Sequence, residues 1–327
     1  MSNDAGIDSR IDSGIASLID FHCDTAYELY RRKETLSDNT CHISLPAVKS
    51  AFSRYAQFFA IWTDKNLNDE EGFAAYREIY RNFCRLAQTE PIALCRTGND
   101  LDAAWASGKV AAFLAVEDAR LLAGDLDRLD LLWQMGVRYL TLTWGKSSSV
   151  GGAHDTEDGL TPFGVEVVKR CMELGILPDI SHASRKCADE ILHLAAAHDS
   201  PVIASHSNAA AIYPHSRNLS DEQFLAVRDA GGIVGINFCI YHIGNAREKE
   251  ITVDDLLPHI EHFLSLGGEN TLVFGCDRDG TDLPRGLETF SSLTVLRERL
   301  AGLGYSRELI EKLFWKNACD FLHRALI

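Results

Sequence analysis

The sequence predicts a single (β/α)₈ barrel, on three observations. Eight short apolar runs alternate with longer stretches of helical periodicity. The 327 residues suit one large α/β barrel, typically about 250 residues plus insertions. Five of the eight runs are followed at once by a side chain able to act as acid, base or metal ligand. A barrel collects the ends of its strands at one mouth.

The runs fall at 18–21, 57–62, 110–116, 139–143, 177–180, 202–204, 232–238 and 272–274. Each is nearly continuous in apolar character, as strands covered on both faces should be. Between the second and third runs, 66–109 exceeds one helix and is read as two. Val165, Val168 and Met172 recur at helical spacing, as do Leu256, Ile260 and Phe263. Gly175 and the Gly267-Gly268 pair stop these two helices, and Thr252 offers an N-cap to the second. Residues 284–327 predict a C-terminal helical tail. Residues 1–17, polar and carrying Asp4, Asp8 and Asp12, predict an extension outside the barrel. The chain reads as one domain, with an open doubly wound sheet as the alternative architecture.

An apolar fraction of 46% supplies an ordinary core. Acidic residues outnumber basic ones 47 to 32, a net charge of -15. Such a surface repels phosphate backbones and anionic lipid, so neither nucleic acid nor membrane is an expected partner. Nine cysteines, an odd number without C-x-x-C, point to free thiols in a reducing compartment. No run approaches the roughly 18 apolar residues of a membrane span. The first residues lack the basic and apolar segments of a secretion signal. The expected location is the cytoplasm.

The polar residues that follow the runs carry the chemistry. His22 and Asp24 follow the first, Glu117 the third, His182 the fifth, His206 the sixth and Asp277 the eighth. Side chains alternate along a strand, so His22 and Asp24 share a face and can grip one ion. Imidazole with carboxylate suits zinc and similar divalent ions. Taken alone, each residue has a plainer reading. A strand-end histidine is more often structural, Glu117 reads equally as an ion-pair partner of Arg120, and Asp277 with Asp279 can shape a Gly-rich turn. Five such ends in strand order favour a metal site. His193, His198, His259 and His262 lie in helical stretches and read as packing or surface residues. His42, His154, His215 and His242 lie in loops and stay open.

Several segments together resemble the membrane (renal) dipeptidase family of binuclear zinc peptidases. They are Asp20-Phe-His-Cys-Asp-Thr, Val116-Glu117, Leu140-Thr-Leu-Thr, Asp179-Ile-Ser-His182, Ser205-His206-Ser207, Arg217-Asn218-Leu-Ser-Asp221 and Gly275-Cys-Asp277-Arg-Asp279-Gly280. The resemblance runs from about residue 18 to the end. It implies a (β/α)₈ barrel with two zinc ions: His22 and Asp24 on the first, Glu117 bridging, His182 and His206 on the second. It further implies Asp277 as acid/base and Arg217 as the partner of a substrate carboxylate, with Tyr241 a weaker candidate contact. The reaction implied is hydrolysis of a short peptide, a dipeptide with an L- or D-residue at its carboxyl end, by hydroxide generated between the ions. A homodimer is expected by resemblance only.

The chain departs from the family pattern in places. Trp144, in Leu142-Thr-Trp-Gly, stands where the family has a histidine that meets the reacting carbonyl. Indole donates one hydrogen bond and accepts none, so Lys146 or His154 enter as substitutes. Asp118-Ala119 replaces the usual glycine, and Cys23 the common asparagine. Two alternatives follow. One is another amidohydrolase reaction, such as cyclic amide opening or deamination, with a carboxylated Lys146 as bridge. The other is a metal-binding homologue without turnover.

Overall fold

The first strand, β1 (Ser17–Cys23), is the hub of the sheet, because both its edges are taken. It pairs in parallel with β2 (Arg54–Ile61) and with β8 (Leu272–Phe274). The computed structural model describes residues 17–327. Ser17, assigned above to the extension, already belongs to β1, and the rest of the extension lies outside the described residues.

From β2 the sheet continues through β4 (Val110–Glu117), β5 (Val137–Thr141) and β6 (Leu177–Asp179), and from β8 to β7 (Val234–Ile236), every pairing parallel. The run at 202–204 closes the ring. Ile203 bridges to Asp179 and Ala204 to Val234, and the Ile203 N–H donates to Pro178 O at 3.0 Å. This segment is too short to register as a strand, yet it occupies the sixth strand's place. The eight apolar runs therefore form eight parallel staves of one barrel.

The stretch 66–109 holds the two expected helices, Asp69–Thr89 and Gly98–Ala106, and an unexpected strand between them, β3 (Ile92–Cys95). β3 pairs with Val110–Phe113 of β4, while β5 takes the same strand from Leu114 onward. It fills the lower half of an edge that β5 leaves open. Helix Pro162–Leu174 begins at Thr161, whose hydroxyl accepts the Gly164 N–H, and ends at Gly175 with φ 71, a left-handed position where glycine costs nothing. Among the described residues no helix is long and apolar enough to cross a membrane.

Alternation along the strands sorts the core into two layers. Ala56, Phe58, Ala111, Phe113 and Ala115 fill the barrel interior, while Tyr55, Phe59, Ala112, Leu114 and Val116 pack outward under the helices. Inside, Phe58 stacks on Phe21 at 4.7 Å and on Phe113 at 4.9 Å, and lies 5.1 Å from the Tyr139 ring. Phe321, from helix Asn317–Ala325 of the C-terminal tail, reaches Phe21 from below at 6.2 Å. The predicted tail thus plugs the floor, and the aromatic layer above it forms a dry base for the mouth.

Candidate metal centre

Glu117 extends the inward series 111, 113, 115 by one step, so β4 delivers its carboxylate to the centre of the mouth. β1 needs a correction to do the same. Ile19 and Phe21 face inward, and strict alternation would send His22 out toward the helices. Between Asp20 and Cys23, however, β1 carries one residue more than β2 across the ladder. This bulge shifts the phase and turns His22 and Asp24 into the mouth.

Around Glu117 the strand ends converge. Its Oε2 lies 3.7 Å from His22 Nε2; its Oε1 lies 3.0 Å from His182 Nε2 and 3.6 Å from His206 Nε2. His22 Nε2 also faces Asp24 Oδ2 at 3.6 Å and Asp277 Oδ1 at 3.9 Å. The two oxygens of one carboxylate thus address two groups, with His22 on one side and His182 and His206 on the other.

The hydrogen bonds behind the rings fix where their protons sit. The Tyr139 hydroxyl donates to Phe21 O at 2.9 Å, so it must accept from His22 Nδ1 at 2.8 Å. His182 Nδ1 lies 2.9 Å from Trp144 O, which can only accept. Ser205 donates its one hydroxyl proton to Asp179 at 2.6 Å and so accepts from His206 Nδ1 at 2.7 Å. All three rings commit Nδ1–H to these acceptors and turn Nε2 into the mouth, the arrangement metal-binding histidines adopt; on His182 and His206 that Nε2 is a bare lone pair, and on His22 it is the atom a cation would take from a proton. His182 Nε2 and His206 Nε2 lie 3.0 Å apart, two lone pairs facing each other. His22 Nε2 is buried without a hydrogen-bond partner. Lone pairs and carboxylates packed this closely fit divalent cations. Among the described residues two sets of ligand atoms are close enough to share an ion, His22 with Glu117 and His206, and His22 with Asp24 and Asp277. Gly280 guards the space between: a Cβ there would stand 2.0 Å from Asp24 Oδ2 and 2.6 Å from Asp277 Oδ1.

The electrostatics agree. Burial opposes charge on His22, but Glu117, Asp24 and Asp277 outweigh it and push its pKa up to about 10. A proton there stands in for a cation. Burial holds His182 and His206 well below the usual histidine range, with Arg217 adding repulsion, so both stay neutral. Burial raises Glu117, and it raises Asp277 to about 7, each opposed by His22 and reinforced by Asp24.

Two further aspartates brace the site. Asp20 accepts from the His22 and Cys276 N–H groups at 3.1 and 3.0 Å, tying β1 to the end of β8. Asp179 accepts from Thr141, Ser181 and both donors of Ser205, tying β5, β6 and 202–204. Asn237 donates to Asp277 Oδ2 at 3.3 Å. Asp118, His182, Asp277 and Asp279 all hold positive φ, between 59 and 80°. Such backbone is costly for non-glycine residues and persists where surroundings enforce it. None of these supporting roles, nor that of Tyr139, is visible in the spacing of the sequence. Its partner His22 is 117 residues away.

A cleft of about 470 Å³ opens above the centre. Arg217 lines it; the residue is 4% exposed, with Nη2 3.4 Å from His206 O. His154 and His242 stand beside it. Burial and the Arg217 charge lower their pKa values to about 4 and about 2. Trp144 also lines the cleft, but what it gives His182 is its carbonyl, not its indole. Tyr241 does not line it: its ring is 47% exposed and its hydroxyl donates to Asp282 at 3.0 Å, because the short helix Ile240–Ile243 turns it outward. Lys146 is exposed and likewise absent from the cleft wall, which removes the geometry a carboxylated lysine bridge requires. Arg120 pairs with Asp118 at 3.0 Å, leaving Glu117 to the histidines. His259 is a packing residue held between Ala209 N and Ile243 O.

Comparison with known proteins adds a second line of argument. The profile of the membrane dipeptidase family, peptidase family M19, matches residues 14–325. A Klebsiella pneumoniae protein described as uncharacterized and encoded in the pqqA 5′ region is 31% identical over 236 residues, 69% of this chain and 86% of that protein. The crystal structure of dipeptidase AC, a metallopeptidase of family M19, superposes with a TM-score of 0.87 at 28% identity, covering 95% of this chain and 99% of the other. A Rhodobacter sphaeroides metallopeptidase, liganded with a phosphinate mimic of the dipeptide L-Ala-D-Ala, gives 0.87 at 27% identity over the same shares.

Proposed function

The chain belongs to the membrane dipeptidase family and is a metallo-dipeptidase, and from that premise we propose how its own residues do the work. His22 and Asp24 hold one divalent cation, His182 and His206 a second, and Glu117 bridges them; the nitrogen and carboxylate donors favour zinc. The observation that carries this is the split of Glu117, one oxygen toward His22 and the other toward His182 and His206. When bound, the two cations supply Lewis acidity for the scissile carbonyl and acidify water near neutral pH.

The remaining steps belong to side chains. Asp277, oriented by Asn237, takes a proton from the attacking water and returns it to the departing amine. Arg217 receives the substrate's free carboxylate: its planar fork matches two oxygens, and burial strengthens the attraction. The substrate is a small peptide with a free carboxyl end, and acceptance of a D-residue there follows the Rhodobacter sphaeroides relative. The nine cysteines, all unpaired, support a reducing, cytoplasmic setting. A homodimer remains the family expectation.

The test is hydrolysis of Ala-D-Ala and Ala-Ala by zinc-loaded protein, set against the same peptides as carboxyl-terminal amides. The free acids should turn over and the amides should lose at least about a hundredfold in kcat/KM, with most of the loss in KM. Equal turnover of acids and amides would remove Arg217 from this role.

A further inference from the structure

The cleft wall has two unlike stretches. Around Arg217 stand His154, His242 and Cys239. On another stretch of its wall three aromatic rings meet in series. Tyr27 packs edge-on against Trp62 at 5.2 Å, and Trp62 lies 5.3 Å from Trp144 at a tilt of 52°. All three are half-buried and all line the cleft, so their free faces look into it. Trp144 in turn stacks toward His182 at 6.0 Å, which sets this wall beside the reacting centre.

The wall is held rigidly, by the residues at which this sequence departs from the family pattern. Asp118, at φ 80, pairs with Arg120. Arg120 then donates to Thr63 O, Asp64 O and Leu67 O at 2.6 to 3.1 Å, fixing the loop that follows Trp62. The Trp144 carbonyl is fixed by His182 Nδ1. A surface ordered before substrate arrives binds without further loss of side-chain freedom.

We propose that Tyr27, Trp62 and Trp144 form the subsite for the side chain of the amino-terminal substrate residue, and that it selects large, flat side chains. The inference rests on the dipeptidase reading above: with the carboxyl end at Arg217 and the scissile bond over the metal centre, the amino-terminal residue reaches the wall that Trp144 sets beside His182. Glu28 is consumed by Arg31 and Arg32, both at 2.6 Å, and Asp24 by the metal centre. Two carboxylates remain near this wall: Asp155, which accepts the Lys146 N–H, and Asp64, which acts on Tyr27 and accepts from Asn66. The wall itself presents aromatic faces, and they favour aromatic or broad apolar partners.

The experiment is a panel of X-D-Ala dipeptides with zinc-loaded protein, X being Ala, Leu, Phe, Trp, Lys or Arg. Phe and Trp should exceed Ala by about tenfold or more in kcat/KM, the scale that a few buried methylenes give. Trp62→Ala should collapse that ratio toward one, whatever it does to the absolute rates, and Trp62→Phe should preserve it. The panel on the parent protein decides even where a variant fails to fold. Equal rates for Ala and Phe, or a preference for Lys and Arg, overturns the subsite. Hydrolysis of no member at all is a different result: it overturns the dipeptidase reading and this proposal with it.

Discussion

Tyr139→Phe isolates the tautomer argument. The ring stays, with its packing against Phe58, and only a hydroxyl leaves. Two buried groups lose their partner: His22 Nδ1–H, 2.8 Å away, and Phe21 O, 2.9 Å away. Each unsatisfied buried group costs about 1–3 kcal/mol, so the metal-free variant should lose about 2–6 kcal/mol of stability. Metal affinity suffers for a separate reason. Without an acceptor at Nδ1, His22 is free to carry its proton on Nε2, where it faces Glu117, Asp24 and Asp277. That tautomer is favoured by the carboxylates and cannot bind metal. Loss of such supporting bonds typically weakens metal binding about 10–100-fold. The assay is zinc titration against a competing chelator near neutral pH, with denaturant melts of the chelated protein alongside. A variant whose melt shifts as expected but whose zinc affinity stays within about twofold of the parent would refute the claim that Tyr139 sets the His22 tautomer.

Two other outcomes follow from the same geometry. Gly280→Ala places a methyl 2.0 Å from Asp24 Oδ2, so Asp24 must leave; zinc affinity should fall by at least about a hundredfold with far-ultraviolet circular dichroism unchanged, and parent-like affinity would show that Asp24 is no ligand. The pH dependence has a definite sign. The His22 pKa in the folded, metal-free protein, about 10, exceeds its ordinary value of 6.5. Its contribution to stability is therefore complete below about 6.5 and lost as pH rises through about 10. Chelated protein should be measurably less stable at pH 10 than at pH 7. At pH 7 zinc binding should release at least one proton, read by calorimetry in buffers of different ionisation enthalpy; zero release contradicts a protonated His22.

Much of this was legible in the chain because it depends on local pattern. Short apolar runs announce staves, and a polar residue just past each run announces the mouth. Even 202–204, which lacks the length to pair as a strand in its own right, was marked by its apolar character and by Ser205-His206 behind it. What escaped depends on partners distant in sequence. β3 is four residues inside a stretch dominated by helices, and only the free lower edge of β4 makes it a strand. The bulge in β1 is a relation between two strands, not a property of either. Tyr139, Asp20 and Asp179 look like ordinary strand residues until the barrel closes around them. Trp144 stood out as a departure, but its backbone carbonyl, which every residue type has, carries the contact to His182. Tyr241 lies close in sequence to Asn237, and a single helical turn was enough to point it at Asp282.

The most direct test is the number of ions the chain holds. Native mass spectrometry of protein reconstituted with zinc should show two ions per chain, falling to one or none when Glu117 is replaced by glutamine. One ion in the parent, or two ions that survive Glu117→Gln unchanged, would contradict a pair of cations bridged by that carboxylate.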